Sequence, residues 1–304
     1  MREVRRVSAV DLMLLGTVLL WALNITVTRY VLTHGWLPLA YGTIRYFAAT
    51  ALFWVFTYHR EHSFRVRMSD GKLIAFAALM IFLNQIGFVY SVKLTTASTV
   101  ALLLGTTPIF VALLASAVGL ERVTGTFWIA AAISFVGVGL VAGGASSGLS
   151  GDLAGDLLAV ATAATWGAYS VAIAPLMRRY SPFRISALVL ALGWIPLAVA
   201  SIPQLAQQSF SFDALVWVAF AYAVIGPLFL TNILWFTAID RVGPSRASLF
   251  ANLQPFFAVI FALLLLDEHL NRYEIAGGLA IAAAIVLERR SHAREVALAA
   301  KEAA

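Results

Sequence analysis

No cysteine occurs in the 304 residues, which excludes disulfides, thiolate catalysis and cysteine metal sites. Charge is scarce as well: 12% of residues are charged and 61% hydrophobic, with a mean hydropathy of +0.88. Soluble domains draw about a quarter of their residues from Asp, Glu, Lys and Arg, and a chain this poor in charge cannot clothe a surface in water. The five histidines, His34, His59, His62, His269 and His292, all fall in loops or at the ends of apolar runs, so none can build a metal or nucleophile site with a carboxylate inside one. No glycine-rich phosphate loop with a lysine is present, which removes ATP-driven work by this chain alone. A formal G-x-S-x-G, Gly144 to Gly148, lies in the low-complexity stretch Gly143–Gly151 behind an apolar helix. A nucleophile elbow needs a strand before it and a helix after it. Nothing here supports an enzyme or a cofactor.

What the sequence does contain is long apolar runs. A bilayer crossing needs about 20 such residues, and ten stretches meet that demand: 11–32, 37–58, 72–92, 96–118, 125–143, 153–177, 184–202, 214–238, 244–266 and 273–288. A β-barrel would alternate over ten-residue strands, which is not the pattern here. The basic start, Met1-Arg-Glu-Val-Arg-Arg, resembles a signal peptide. The apolar stretch behind it is too long, and it carries Asn24 and Arg29, so it reads as a retained first helix.

The chain also repeats itself. Leu102-Leu103-Leu104-Gly105-Thr106-Thr107-Pro108-Ile109-Phe110 faces Leu249-Phe250-Ala251-Asn252-Leu253-Gln254-Pro255-Phe256-Phe257, and at the same offset Ser98 meets Ser245 and Glu121 meets Glu268. Near the start of each half, Asp11 and Trp21 correspond to Asp156 and Trp166. The expected organisation is a five-helix repeat over 8–143, a Gly/Ser linker over 144–151, a second five-helix repeat over 152–288, and a tail over 289–304. Five is odd, so the second copy enters the membrane from the opposite side. Inverted repeats of that kind place a substrate site at their interface near the midplane. The expected fold class is an all-α membrane protein of ten transmembrane helices.

With the N-terminus in the cytoplasm, Arg29, Lys93 and Arg272 are the basic residues that face outward, and Arg45 falls within a span. All the other basic residues lie on the cytoplasmic side, as the positive-inside rule requires. The net charge of +6 therefore describes topology and contact with anionic headgroups. It does not describe nucleic-acid binding, because the basic residues are scattered over separate short loops.

Polar residues inside spans are the candidates for function. Trp21 and Trp166 sit ten residues into their helices, near mid-membrane, whereas Trp36, Trp54, Trp128 and Trp217 stand at span ends like belt tryptophans. Trp21 and Trp166 are either packing residues or an aromatic wall, with Asn24 and Tyr169 a turn along on the same face. Pro108 and Pro255 free the carbonyls of Leu104 and Ala251, and Pro227 makes a third mid-span break. Either local Thr and Asn side chains satisfy these sites, or the kinked helices line a cavity and bend during transport. Asn84, Gln85 and Asn232 fall at corresponding positions of the repeat and serve either as interhelical glue or as cavity lining. Trp235, near a span end, reads as a belt residue. Arg45, flanked by Tyr41 and Tyr46, either snorkels to the outer headgroups or meets a substrate carboxylate; snorkelling is the first choice. The expected cavity is thus Trp21, Asn24, Gln85, Trp166, Tyr169, Asn232, Asn252 and Gln254, with Pro108, Pro227 and Pro255 as breaks.

Two tandem five-span repeats, each with a mid-span proline helix ending at an acidic turn, resemble the EamA-type branch of the drug/metabolite transporter superfamily. The turns are Gly119-Leu120-Glu121-Arg122-Val123-Thr124 and Leu266-Asp267-Glu268-His269-Leu270-Asn271. Asp267 stands where that family usually has Gly. The resemblance implies ten helices, bacterial inner-membrane residence and export of small metabolites, often amino acids. With its mid-membrane aromatics the chain is most similar to bacterial exporters of aromatic amino acids. The expectation is a secondary transporter, with a small-molecule substrate and the lipid bilayer as its partners; the oligomeric state is left open, a monomer being compatible with the sequence. The alternatives are export of another amphipathic metabolite or drug, and a membrane receptor or assembly protein without transport. Because Asp11, Asp152, Asp156, Asp213, Asp240, Asp267, Glu121, Glu268, Glu274 and Glu288 all read as loop or span-end residues, no carboxylate is placed to relay protons.

Overall fold

The structure is a computed structural model and describes residues 9–119, 125–143, 152–242 and 253–302. Every regular element among the described residues is helical: α1 (Ala9–Thr33), α2 (Pro38–Glu61), a 3-10 turn (Met68–Asp70), α3 (Gly71–Leu94), α4 (Ala97–Leu104), α5 (Thr107–Ala117), α6 (Gly125–Gly143), α7 (Asp152–Met177), α8 (Pro182–Gln207), α9 (Ala214–Val224), a π-helical turn (Ile225–Leu230), α10 (Thr231–Val242), α11 (Gln254–Leu265) and α12 (Arg272–Glu302). Boundaries follow local chemistry. Pro38 and Pro182 occupy first-turn positions of α2 and α8, where the missing N–H costs nothing. Thr96 and Ser181 cap α4 and α8 by accepting from Thr99 N and Arg184 N.

Seven of the described helical stretches are long and apolar enough to cross a membrane, and the chain is a multi-pass membrane protein. Three of the ten expected spans fall short of that standard. The apolar part of α6 covers only Gly125–Val141. The first part of the span at 244–266 lies largely outside the described residues, leaving α11 with 12. α12 carries charged residues at both ends of its apolar stretch.

The principal packing runs between the two halves of the chain: α3 against α7, α2 against α8, α1 against α11, α6 against α12, and α4 against α11. Small residues permit it. At the α6–α12 crossing a Cβ on Gly137 would lie 2.7 Å from the carbonyl oxygen of Gly277, and one on Gly277 would lie 2.5 Å from that of Gly137. The backbones therefore touch, as small residues allow in membrane helices. Two main apolar clusters result. One joins Ile25, Leu32, Trp36, Val89 and Val100; the other joins Phe53, Ile74, Leu176, Ile185 and Leu197.

Different groups fasten the two ends of the bundle. At the end formed by loops 61–70 and 178–184, here the basic end, Arg179 pairs with Asp70 at 2.6 Å and Arg184 with Glu61 at 2.8 Å. Tyr180 donates to the second Asp70 oxygen, and Ser181 bonds Glu61. At the far end, Glu268 accepts from Ala97 N, Ser98 N and Ser98 Oγ at 2.7–2.8 Å. Glu274 accepts from Thr99 Oγ1 at 2.6 Å, and Gln204 and Gln208 accept from Leu39 N and Leu37 N. Trp36 does not act as a belt residue. It is 1% exposed and packs among Tyr41, Phe210, Phe212, Trp217 and Phe220, because the chain at 209–217 folds over it.

Candidate functional site

Pro108 and Pro255 do more than kink their helices. Pro108 opens a new helix: α4 ends at Leu104, and α5 begins at Thr107 with Pro108 in its first turn. Pro255 stands in the first turn of α11. The carbonyl freed by Pro108 is already satisfied, since Thr107 Oγ1 donates to Leu104 O at 2.7 Å and Thr106 Oγ1 to Leu103 O at 2.7 Å. The local-satisfaction reading holds there. The two breaks also meet, because a Cβ on Gly105 would lie 3.4 Å from Pro255 Cγ and 2.9 Å from Leu102 O. Gln254 is half-buried beside that contact. Asn252 and the carbonyl of Ala251 lie outside the described residues.

Pro227 produces a π-helical turn instead of a kink. At that turn the Pro227 carbonyl accepts from Thr231 Oγ1 at 2.8 Å and from Trp21 Nε1 at 3.2 Å. Trp21 therefore bridges the halves, with its ring 5.2 Å from that of Trp235, so Trp235 is a packing partner and not a belt residue.

The most informative feature is one stripe of α7. Thr162 points at α3, where a Cβ on Gly87 would meet its Oγ1, and Gly167 points at α5, where it meets Phe110 and Val111. At about 100° per residue, Ala159, Ala163, Trp166, Ser170 and Ala174 fall on the arc between those two directions. That arc therefore faces the interior. Ala159 and Ala163, toward the far end, are 0% exposed, whereas the next member, Trp166, is 38% exposed and Ala174 is exposed. The interior is filled at the far end and open toward the basic end. Tyr169, buried, packs 5.4 Å from the Trp166 ring.

The amides divide. Asn84 Nδ2 donates to Thr162 O at 2.9 Å and fastens α3 to α7, which is the glue reading. Asn232 Nδ2 donates to Leu228 O four residues back in the same span. Gln85 is 2% exposed, and among the described residues its Nε2 and the Oδ1 of Asn24 have no hydrogen-bond partner.

Arg45 does not snorkel. It is 3% exposed and lies within α2, about 10 Å along the axis from Pro38. Its Nη1 donates to Tyr41 OH at 3.3 Å, its Nε has no partner, and its guanidinium lies 5.5 Å from the Tyr41 ring and 6.0 Å from the Phe88 ring. Neither ion pair among the described residues involves it. The sequence showed the flanking tyrosines, but nothing in it signalled that Phe88 of α3 packs against this arginine. Asp156 is also deeper than its place near a helix start suggests, at 2% exposed and engaged by neighbouring groups.

The profile of the EamA-like transporter family matches the chain twice, over residues 8–143 and 153–288. Two uncharacterized transporters of Archaeoglobus fulgidus are each 25% identical to it: one over 65% of this chain and 68% of its own length, the other over 90% and 96%. A solved crystal structure superposes with a TM-score of 0.63 at 16% identity, covering 92% of this chain and 97% of that one. That likeness concerns the fold alone.

Proposed function

Because the chain belongs to the EamA-like transporter family, we propose that it is a secondary transporter that exports small amino acids or related metabolites, aromatic ones favoured, by alternating access across a bacterial inner membrane. The observation that carries this reading is the α7 stripe, buried at the far end and open from Trp166 toward the basic end. That is the shape of a carrier open on one side. The far end is the outer one and both termini are cytoplasmic, in keeping with the basic loops.

Ten spans in two inverted repeats, 8–143 and 152–288, are supported by the packing. Exchanging the halves maps α3–α7 onto α1–α9/α10 and α1–α11 onto α4/α5–α7, while α2–α8, α4–α11 and α6–α12 map onto themselves. A two-fold axis in the membrane plane generates that pattern. Trp166 and Tyr169 then form an aromatic wall at the mouth, and the Gly105–Pro255 contact lies where the halves move against each other. The described carboxylates stand near the ends of the apolar spans, Asp156 the most deeply buried of them, and in this reading the substrate's own gradient drives transport.

The test is efflux of radiolabelled phenylalanine from proteoliposomes, with and without an imposed pH gradient. Wild type should release phenylalanine downhill at a rate indifferent to the pH gradient, and Trp166→Ala should slow it roughly 10-fold, since a base of about 1 to 1.5 kcal/mol of ring contact is lost. No aromatic amino-acid flux in wild type would sink the substrate reading. Uphill accumulation that vanishes with protonophore would sink the uncoupled mechanism and direct attention to Asp156.

A further inference from the structure

A charged guanidinium buried within a membrane-spanning helix demands explanation. Removing an ion from water costs several kcal/mol even after relaxation, and intramembrane ionisable groups usually mark a functional path. Arg45 has five N–H donors, yet among the described residues it makes one hydrogen bond, at 3.3 Å to Tyr41 OH. Contacts with the Tyr41 and Phe88 rings offset only part of that cost.

Its neighbours also hold unused polar atoms. A Cβ on Gly42 would lie 3.3 Å from Gln85 Nε2, which sets that orphaned amide against the α2 face that carries Arg45 one turn on. Thr28 and Tyr41 hydrogen-bond across α1 and α2 at 3.1 Å. The two helices are antiparallel, so one turn toward the basic end brings Asn24 on α1 level with Arg45 on α2. The Tyr222 hydroxyl, fixed by donating to Leu20 O at 2.8 Å, is within electrostatic reach of Arg45. Tyr46, next to Arg45 in α2, belongs to one apolar cluster with Tyr169, whose ring neighbours Trp166. Two unpartnered donors and one unpartnered acceptor, all on residues more than nine-tenths buried, therefore sit at one level of the interior.

We propose that Arg45 is the anion anchor of the transport site: it binds the substrate's carboxylate with Gln85 Nε2 as second donor, while Asn24 Oδ1 accepts from the substrate's ammonium. The proposal rests on the transport reading above and narrows it. The cargo carries a carboxylate, and a cationic drug is repelled.

The experiment measures thermal protection and binding of the full chain in nanodiscs by three probes: phenylalanine, phenylacetate, which lacks the ammonium, and phenylalaninamide, which lacks the carboxylate. In wild type, phenylalanine and phenylacetate should protect, and phenylalaninamide should bind at least roughly 10-fold more weakly, as expected for loss of hydrogen bonds to a charged group. Arg45→Gln should erase this preference while raising the melting temperature of the ligand-free protein, because an uncompensated buried charge is gone. A merely structural arginine would lower that temperature. Equal binding of phenylalaninamide and phenylalanine by wild type, protection by neither carboxylate, or undiminished phenylalanine binding by Arg45→Gln would each overturn the anchor. The wild-type comparison does not depend on any variant folding. Protection by phenylacetate without phenylalanine binding or flux would keep the anchor and discard the amino-acid cargo. Phenylalanine flux matched by phenylalaninamide flux would keep transport and discard the anchor.

Discussion

At the far end of the bundle, Glu268 of the second half holds the first N–H groups of α4 and Glu274 holds the Thr99 hydroxyl, while at the basic end Arg179 and Arg184 hold the carboxylates of Asp70 and Glu61. The chemistry differs in what it costs to release. Glu268 satisfies two backbone donors and a hydroxyl at a helix start, where the helix dipole adds to the attraction. Opening there leaves several groups unpaired at once. The Arg179–Asp70 pair is partly open to solvent, with Arg179 at 41%, so water can replace the partner. It also ties only the α2–α3 loop to the α7–α8 loop. On the transport reading proposed above, the far end is the latch to be undone in each cycle, and the basic end a clamp that leaves the mouth beside Trp166 free.

This contrast yields three tests, the largest first. The chain has no cysteine of its own, so single cysteines report sidedness cleanly. Ser209→Cys, at the far end, should react with a membrane-impermeant thiol reagent on intact cells, and His62→Cys, at the basic end, should react only after lysis. The reverse pattern would turn the molecule over. Next, Glu268→Ala should loosen the latch. The loss of charge-assisted bonds, about 1.5–3 kcal/mol each at most, should shift the population outward and speed labelling of Ala97→Cys from outside roughly 10-fold. An unchanged rate would mean that the aromatic cluster around Trp36, and not the glutamate, closes that end. The smallest effect is expected at the clamp: Arg179→Ala should lower stability by about 1 kcal/mol or less, as exposed pairs do, and leave the Ala97→Cys labelling rate alone. A change in that rate would show that the two ends are coupled.

Particular residues show how much was legible beforehand. The apolar runs and charge scarcity specify helices that cross a membrane, because hydrocarbon leaves the backbone no other partner. The repeat of proline and acidic turn was visible, yet the role of Glu268 was not, since the N–H groups it caps lie 170 residues away at Ala97 and Ser98. Trp166 and Tyr169 come together as helical spacing predicts. Asn232, although it matches Gln85 by position, bonds its own helix, because an amide beside a π-helical turn has a carbonyl within reach. The same turn decides the use of Trp21.

By itself, then, the sequence determined the all-helical, membrane-crossing character, the duplication and the positions where helices break, since each depends on local hydrophobicity and on proline's missing N–H. Only the tertiary structure decided which buried polar atoms remain unspent. A guanidinium at a given depth either snorkels or stays inside according to what covers it, and for Arg45 that cover includes Tyr41 of its own helix and Phe88 of α3, brought together by packing that no local pattern encodes.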